Sequence, residues 1–91
     1  MNKKRERAEL IHDILLAVHN HGDCIKPTHL LYKANLSYSA LQRYVQGLIV
    51  SGLLIEQELQ SGSRLYALTE RGLAFIEQYA RFRIVSDSFG I

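Results

Sequence analysis

The sequence has almost no cysteine and no long apolar run, and each absence excludes a class of protein. The lone cysteine, Cys24, cannot form an internal disulfide, which rules out a disulfide-rich fold and favours a reducing compartment. No apolar run approaches the ~18 residues that a membrane-spanning helix needs. The basic start, residues 1–5, leads into an amphipathic stretch with acids, unlike a signal peptide. We therefore expect a cytoplasmic protein without a membrane partner.

Motifs of catalysis are lacking as well. The sequence contains no phosphate-binding glycine loop, no nucleophile elbow and no histidine with an evident carboxylate partner, so we predict no enzymatic activity. His19, His21 and Cys24 form the one group with metal-ligand character, but their spacing matches no closed tetrahedral site. We predict no cofactor, and neither a small-molecule nor a metal effector.

Acidic residues are missing from Cys24 to Ile55, although Lys26, Lys33 and Arg43 lie in this stretch. Four of the eleven basic residues also fall within the first seven positions, whereas the net charge is only +2. A surface that faces phosphates needs such an acid-free stretch, because a carboxylate there would repel the nucleic-acid backbone. The alternative is chance, since only 22% of the residues are charged.

The 91 residues, 47% of them hydrophobic, suit a single domain over residues 1–91. Apolar residues at helical spacing predict a first helix from about Arg5 to Asn20, which Gly22 can end. A short strand at residues 24–25 and a second helix from Pro27 to about Ala34 follow.

The second half of the chain predicts a helix, a hairpin and another helix. Ser37 or Ser39 caps the third helix, whose inward stripe is Leu41, Val45, Leu48 and Ile49, and Gly52 closes it. Strands are predicted at residues 53–60 and 64–68 around a tip at residues 61–63. Thr69 caps the last helix, which we expect to end near Val85 and to leave residues 86–91 as a frayed tail.

This order predicts a mainly α fold with a small β-hairpin, a winged helix-turn-helix with the order H1-β1-H2-H3-β2-β3-H4. Residues 5–68 would form its core and residues 69–85 a C-terminal dimerisation helix. In this fold the third helix enters the major groove of double-stranded DNA and the hairpin wing lies on the backbone.

The DNA contacts follow from helical geometry, because the side of the third helix opposite its apolar stripe faces water. Gln can pair with adenine and Arg with guanine or phosphate. Tyr32 and Tyr44 are expected to pack instead. The predicted DNA contacts are Lys33, Ser37, Tyr38, Ser39, Gln42, Arg43, Gln46 and Arg64. The acids Glu56 and Glu58 predict that the wing binds DNA only weakly.

Three blocks of sequence resemble one family. They are residues 32–38 (Tyr-Lys-Ala-Asn-Leu-Ser-Tyr, with Leu41 and Tyr44 behind them), 51–54 (Ser-Gly-Leu-Leu) and 66–72 (Tyr-Ala-Leu-Thr-Glu-Arg-Gly). Over residues 5 to about 83 the chain resembles the small archaeal winged-helix DNA-binding proteins of about ten kilodaltons, some of them chromatin-associated. The resemblance implies a homodimer whose final helices pair.

A dimer is also predicted from the last helix itself. Phe75, Tyr79 and Phe82 recur along one side of it, a stripe that a monomer would leave exposed, and such stripes usually mark an interface. The alternative is that these rings pack against the first helix of the same chain. For function, the alternative to a transcriptional regulator or chromatin-associated protein is a winged-helix protein-interaction module that does not bind DNA.

Overall fold

The computed structural model describes residues 6–91, and its element order is the predicted one. The start of the first helix at Arg5 and the basic residues 1–5 lie outside the described residues. The elements are α1 (Arg7–Asn20), β1 (Cys24–Ile25), α2 (Pro27–Ala34), α3 (Tyr38–Val50), β2 (Leu54–Glu58), β3 (Arg64–Leu68) and α4 (Glu70–Ser88). The winged helix-turn-helix fold is therefore confirmed.

Local capping explains where the helices begin. The hydroxyl oxygen of Ser37 accepts a hydrogen bond from the Ala40 N–H at 3.2 Å, so Ser37 rather than Ser39 caps α3. Thr69 caps α4 in the same way by accepting from the Gly72 N–H at 2.9 Å. Pro27 opens α2, where its missing N–H costs nothing.

The turn between α2 and α3 depends on Asn35, which takes the left-handed conformation at φ 57°. Asparagine tolerates this region better than most residues, which is why α2 ends there. Leu36 follows as a half-buried residue of the turn. Helices α2 and α3 are thus joined by only three residues, and they form the helix-turn-helix unit.

The sheet has three antiparallel strands in the order β1-β3-β2. The predicted hairpin is β2-β3, and β1 adds to the other edge of β3 by pairing Ile25 with Tyr66. Strand β2 ends at Glu58 rather than at residue 60, because the Leu59 N–H donates to the Ser63 carbonyl and the chain turns there. The wing is therefore shorter than predicted.

One hydrophobic core joins the helices to the sheet. It contains Leu41, Val45 and Leu48 of the predicted inward stripe of α3, together with side chains from every other helix and from each strand, and Ile49, the fourth residue of that stripe, is partly buried against it. Ile14, Leu15, Leu30 and Leu54 are each fully buried. The helical phase predicted for α3 is therefore the observed one.

Helix α4 continues to Ser88, so the predicted end near Val85 is corrected. Its end is well defined, because the Ile91 N–H donates to the Ser86 carbonyl and the Gly90 N–H to the Asp87 carbonyl, a Schellman motif with Gly90 at φ 75°. The Ser86 hydroxyl also donates to the Ile91 carbonyl at 2.7 Å. Residues 86–91 are consequently helix and cap rather than a frayed tail.

The aromatic stripe on α4 is only partly exposed, which corrects the prediction that a single chain leaves all three rings in water. Helices α1 and α4 run antiparallel, and the ring of His12 on α1 lies 4.8 Å from that of Tyr79. Tyr79 is half-buried by this packing and Phe75 by its contact with the core, whereas Phe82 is 59% exposed. Within residues 6–91, no helix has both the length and the apolar content to cross a membrane.

Candidate nucleic-acid interface

The outer face of α3 is polar and free of acids. Ser39, Arg43 and Gln46 are exposed on it, on the side opposite the buried stripe. At the N-terminal end of α3, Tyr38 is 65% exposed, and Ser37 is exposed while its hydroxyl serves as the helix cap. Seven of the eight predicted contacts are therefore exposed: these five, Lys33 on α2 and Arg64 on the wing.

Gln42 is placed differently, at the seam between α3 and the wing. It is half-buried and its side chain is hydrogen-bonded to the hydroxyl of Tyr66 on β3. Burial raises the pKa of Tyr66 above its usual value of 10.0, and the hydrogen bond from Gln42 opposes part of this rise. Gln42 therefore connects α3 to the sheet.

Arg64 on the wing is also engaged within the chain. Its Nη1 atom donates to the Glu56 carboxylate at 2.8 Å, in an exposed ion pair across β2 and β3. Glu58 lies directly opposite Arg64 in the strand register. A phosphate that approached Arg64 would have to compete with Glu56. This competition would weaken the contact between the wing and DNA, as the sequence predicts.

A groove runs between α3 and the start of α1. We call it the α1–α3 groove; it is lined by Arg7 and Ile11 of α1 and by Arg43, Tyr44, Gly47 and Ser51 on or next to α3. Arg43 therefore belongs both to the outer face of α3 and to this groove. Tyr44 is half-buried here, as expected for a packing residue.

Two exposed side chains near this face were not among the contacts predicted from the sequence. Tyr32 was expected to pack but is 83% exposed, next to Lys33 at the end of α2. Arg7 was noted only for its charge, although it lines the same groove as Arg43. The helical spacing within α2 could have indicated Tyr32, but nothing local in the sequence brings Arg7 to α3.

The histidine-rich turn makes contacts of its own. The Nδ1 atom of His19 donates to the Asp23 carboxylate at 2.6 Å, and that of His21 donates to the Cys24 carbonyl at 3.0 Å. Among residues 6–91, no group of three side chains of the metal-binding types is arranged to hold an ion. These contacts fix the turn between α1 and β1.

The helix-turn-helix unit, the three-stranded sheet and the hairpin wing define the class as a winged helix-turn-helix protein. Residues 4–86 match the winged helix-turn-helix family, so the chain belongs to that family. A comparison with curated proteins found no match to the chain.

Several solved structures share the fold. Sso10a-2, a DNA-binding protein from Sulfolobus solfataricus, superposes with a TM-score of 0.80 at 22% identity, over 93% of this chain and 85% of that one. F93 from STIV, a winged-helix DNA-binding protein, gives 0.73 at 24% identity, over 87% and 90%. AbsC, a MarR family transcriptional regulator from Streptomyces coelicolor, gives 0.72 at 22% identity, over 84% and 53%.

Proposed function

We propose that this protein binds double-stranded DNA, as a transcriptional regulator or chromatin-associated protein, with α3 in the major groove. The observation that carries the proposal is the exposed, acid-free outer face of α3, with Ser39, Arg43 and Gln46 on it and Tyr38 at its N-terminal end. Such a helix can place hydrogen-bond donors against base edges without repelling the phosphates on either side.

The similar structures support the same function. Sso10a-2 and F93 are described as DNA-binding proteins, and AbsC as a transcriptional regulator. Their fold is the fold of this chain, but fold alone does not determine function. The chemistry of the α3 face is therefore the stronger argument.

In this proposal the wing contributes little to affinity. It lies beside the backbone, and Arg64 reaches a phosphate only by leaving Glu56. The hairpin holds Glu56 and Glu58 against the single charge of Arg64, so its net charge opposes the approach of DNA. The remaining predicted contacts are Lys33 on α2, Ser37 at the N-terminal end of α3, and Gln42.

The proposal includes a homodimer that forms through the end of α4. Phe82, Val85 and Phe89 are 59%, 53% and 76% exposed, and their spacing puts them on one side of the helix. Phe75 and Tyr79, also predicted for the interface, are half-buried, with Tyr79 against His12 of α1 and Phe75 against the core. Two paired chains would present two α3 helices to successive major grooves, roughly 34 Å apart.

The test is binding to a random-sequence duplex at two salt concentrations. Phosphate contacts release counterions, so the affinity should fall steeply from about 50 to about 200 mM salt. Replacing Arg43 with Ala should cost about 1–3 kcal/mol of binding free energy and leave the melting curve unchanged, because Arg43 is exposed.

The matched control is Arg81→Ala, which removes an exposed arginine from α4 rather than from α3. Equal affinities of the two variants at matched salt would contradict α3 as the reading helix. If the parent protein shows no salt-sensitive binding to any duplex, DNA binding itself is wrong. The winged helix would then be a protein-interaction module.

A further inference from the structure

The α1–α3 groove has the charge of an anion-binding surface. Arg7 and Arg43 both line it, no carboxylate of residues 6–91 does, and the hydroxyl-bearing side chains Tyr44 and Ser51 line it as well. Within residues 6–91, neither guanidinium group forms an ion pair. Two like charges along one groove repel each other, and an anion between them would relieve that repulsion.

The acids of α1 do not neutralise this groove. Glu9 points to the α4 side, where its carboxylate lies 3.9 Å from the Arg83 guanidinium. Asp13 lines a different depression, which Lys33 and Asn35 of the helix-turn-helix unit also line. Glu9, Asp13 and the exposed Glu6 at the N-cap of α1 are therefore not among the residues that line the α1–α3 groove.

Gly47 is the second observation, because nothing within residues 6–91 requires a glycine there. A Cβ atom at this position would have no neighbour within 4 Å outside its own stretch of helix, and glycine destabilises a helix relative to alanine. Its effect is to leave the helix backbone bare where it lines the groove. Bare backbone of this kind permits the close approach of a large ligand.

The position of the groove relative to the wing identifies the ligand. A helix in the major groove, which is about 12 Å wide, has a phosphate backbone on each side. On one side of α3 stands the wing, with two acids and an arginine already bound by Glu56. On the other side is the α1–α3 groove, whose two arginines form no ion pair with the described residues 6–91. The positive charge is thus on the side away from the wing.

The geometry points to the α1–α3 groove as a second DNA contact, in which one phosphodiester backbone lies over Gly47 between Arg7 and Arg43. This inference rests on the proposed DNA binding and adds α1 to the binding surface. It makes Arg7 a phosphate contact, and it makes Gly47 the position that allows the backbone to come close. The wing then contributes less to the contact with the DNA backbone than the α1–α3 groove does.

The experiment compares Arg7→Gln with Arg81→Gln on a random duplex over a series of salt concentrations. Arg7→Gln should weaken binding several-fold on every sequence and lower the slope of log affinity against log salt by about 1 per chain. Arg81→Gln, the matched control on α4, should leave both quantities at the parent values.

A second variant tests the bare backbone. Gly47→Gln fills the groove with a neutral side chain and should raise the melting temperature slightly while weakening DNA binding at least several-fold. If the parent protein binds no duplex, the proposed function itself is wrong. If the parent binds and Arg7→Gln matches Arg81→Gln, or Gly47→Gln keeps full affinity, the second contact is wrong.

Discussion

Tyr66 is the residue through which the wing contacts α3. It is 3% exposed, pairs with Ile25 on one side of β3 and Glu56 on the other, and receives the side-chain hydrogen bond of Gln42. A buried phenol that keeps a polar partner fixes the distance between two elements more precisely than an apolar contact does. Gln42 is therefore held in place by the sheet before any ligand arrives.

Tyr66 also makes the stability of the fold depend on pH at the alkaline end. Burial raises its pKa in the folded state above 10.0, so the folded chain keeps the phenol proton when the unfolded chain has lost it. This contribution is complete below the unfolded pKa, about 10, and is lost as the pH rises through the folded pKa. Tyr66→Phe should remove it.

The measurement is chemical denaturation of the parent and Tyr66→Phe from about pH 8 to about pH 11. At the lower pH the variant should be less stable by about 0.5–1.5 kcal/mol, since it lacks the Gln42 hydrogen bond. This difference should shrink as the pH rises. A difference that stays constant to the highest pH would show that the phenol does not titrate with folding.

At the scale of the elements, Gly72 sets how closely α4 approaches the start of the hairpin. It is buried in the first turn of α4, and a Cβ atom there would lie 2.3 Å from the Leu53 carbonyl oxygen and 2.7 Å from a Leu68 methyl carbon. The Thr69 hydroxyl, the N-cap of this helix, donates to the Gly52 carbonyl at 2.7 Å beside it. The end of α3 and the start of α4 are thus clamped together.

We expect Gly72→Ala to destabilise the fold by about 1–3 kcal/mol, because the Leu53 backbone must move to admit the methyl group. Gly47→Ala is the matched control: it makes the same change in a helix where the methyl group has no neighbour, and should stabilise by about 0.5–1 kcal/mol. Urea denaturation at one protein concentration measures both. Equal effects of the two substitutions would contradict the close approach at Gly72.

At the scale of the whole molecule, the end of α4 presents more exposed apolar surface than any other region of residues 6–91. Phe82, Ile84, Val85, Phe89 and Ile91 are each more than half exposed. The stripe that Phe75 and Tyr79 begin against α1 continues through Phe82 to Phe89. A surface of this kind is typical of an interface with another chain.

The dimer prediction is tested by sedimentation of Phe82→Glu/Phe89→Glu beside the parent without DNA. The parent should be a dimer at micromolar concentrations and the variant a monomer with the same helix content, because buried carboxylates would face each other across the interface. Val50→Glu, which changes an 86% exposed residue of α3, is the control and should stay dimeric. A monomeric parent would overturn the dimer, and a dimeric double variant would place the interface elsewhere.

The sequence by itself determined the elements and their order. Apolar periodicity and capping act over three or four residues, so the stripe of α3, the caps Ser37 and Thr69 and the strand at residues 64–68 could be predicted from local pattern alone. The end of α4 was misjudged because Ser86 and Asp87 break the apolar period, although their carbonyls accept the hydrogen bonds that close the helix.

Only the tertiary structure decided which side chains are free to act. Tyr79 lies against His12 while Phe82 is exposed, Gln42 contacts Tyr66 while Gln46 is exposed, and Arg7 shares a groove with Arg43. Each of these contacts joins segments far apart in the chain, so it depends on how α1, β3 and α4 pack around α3. Spacing within one element carries no information about that packing, since the same helical stripe can meet a neighbour, a second chain or water.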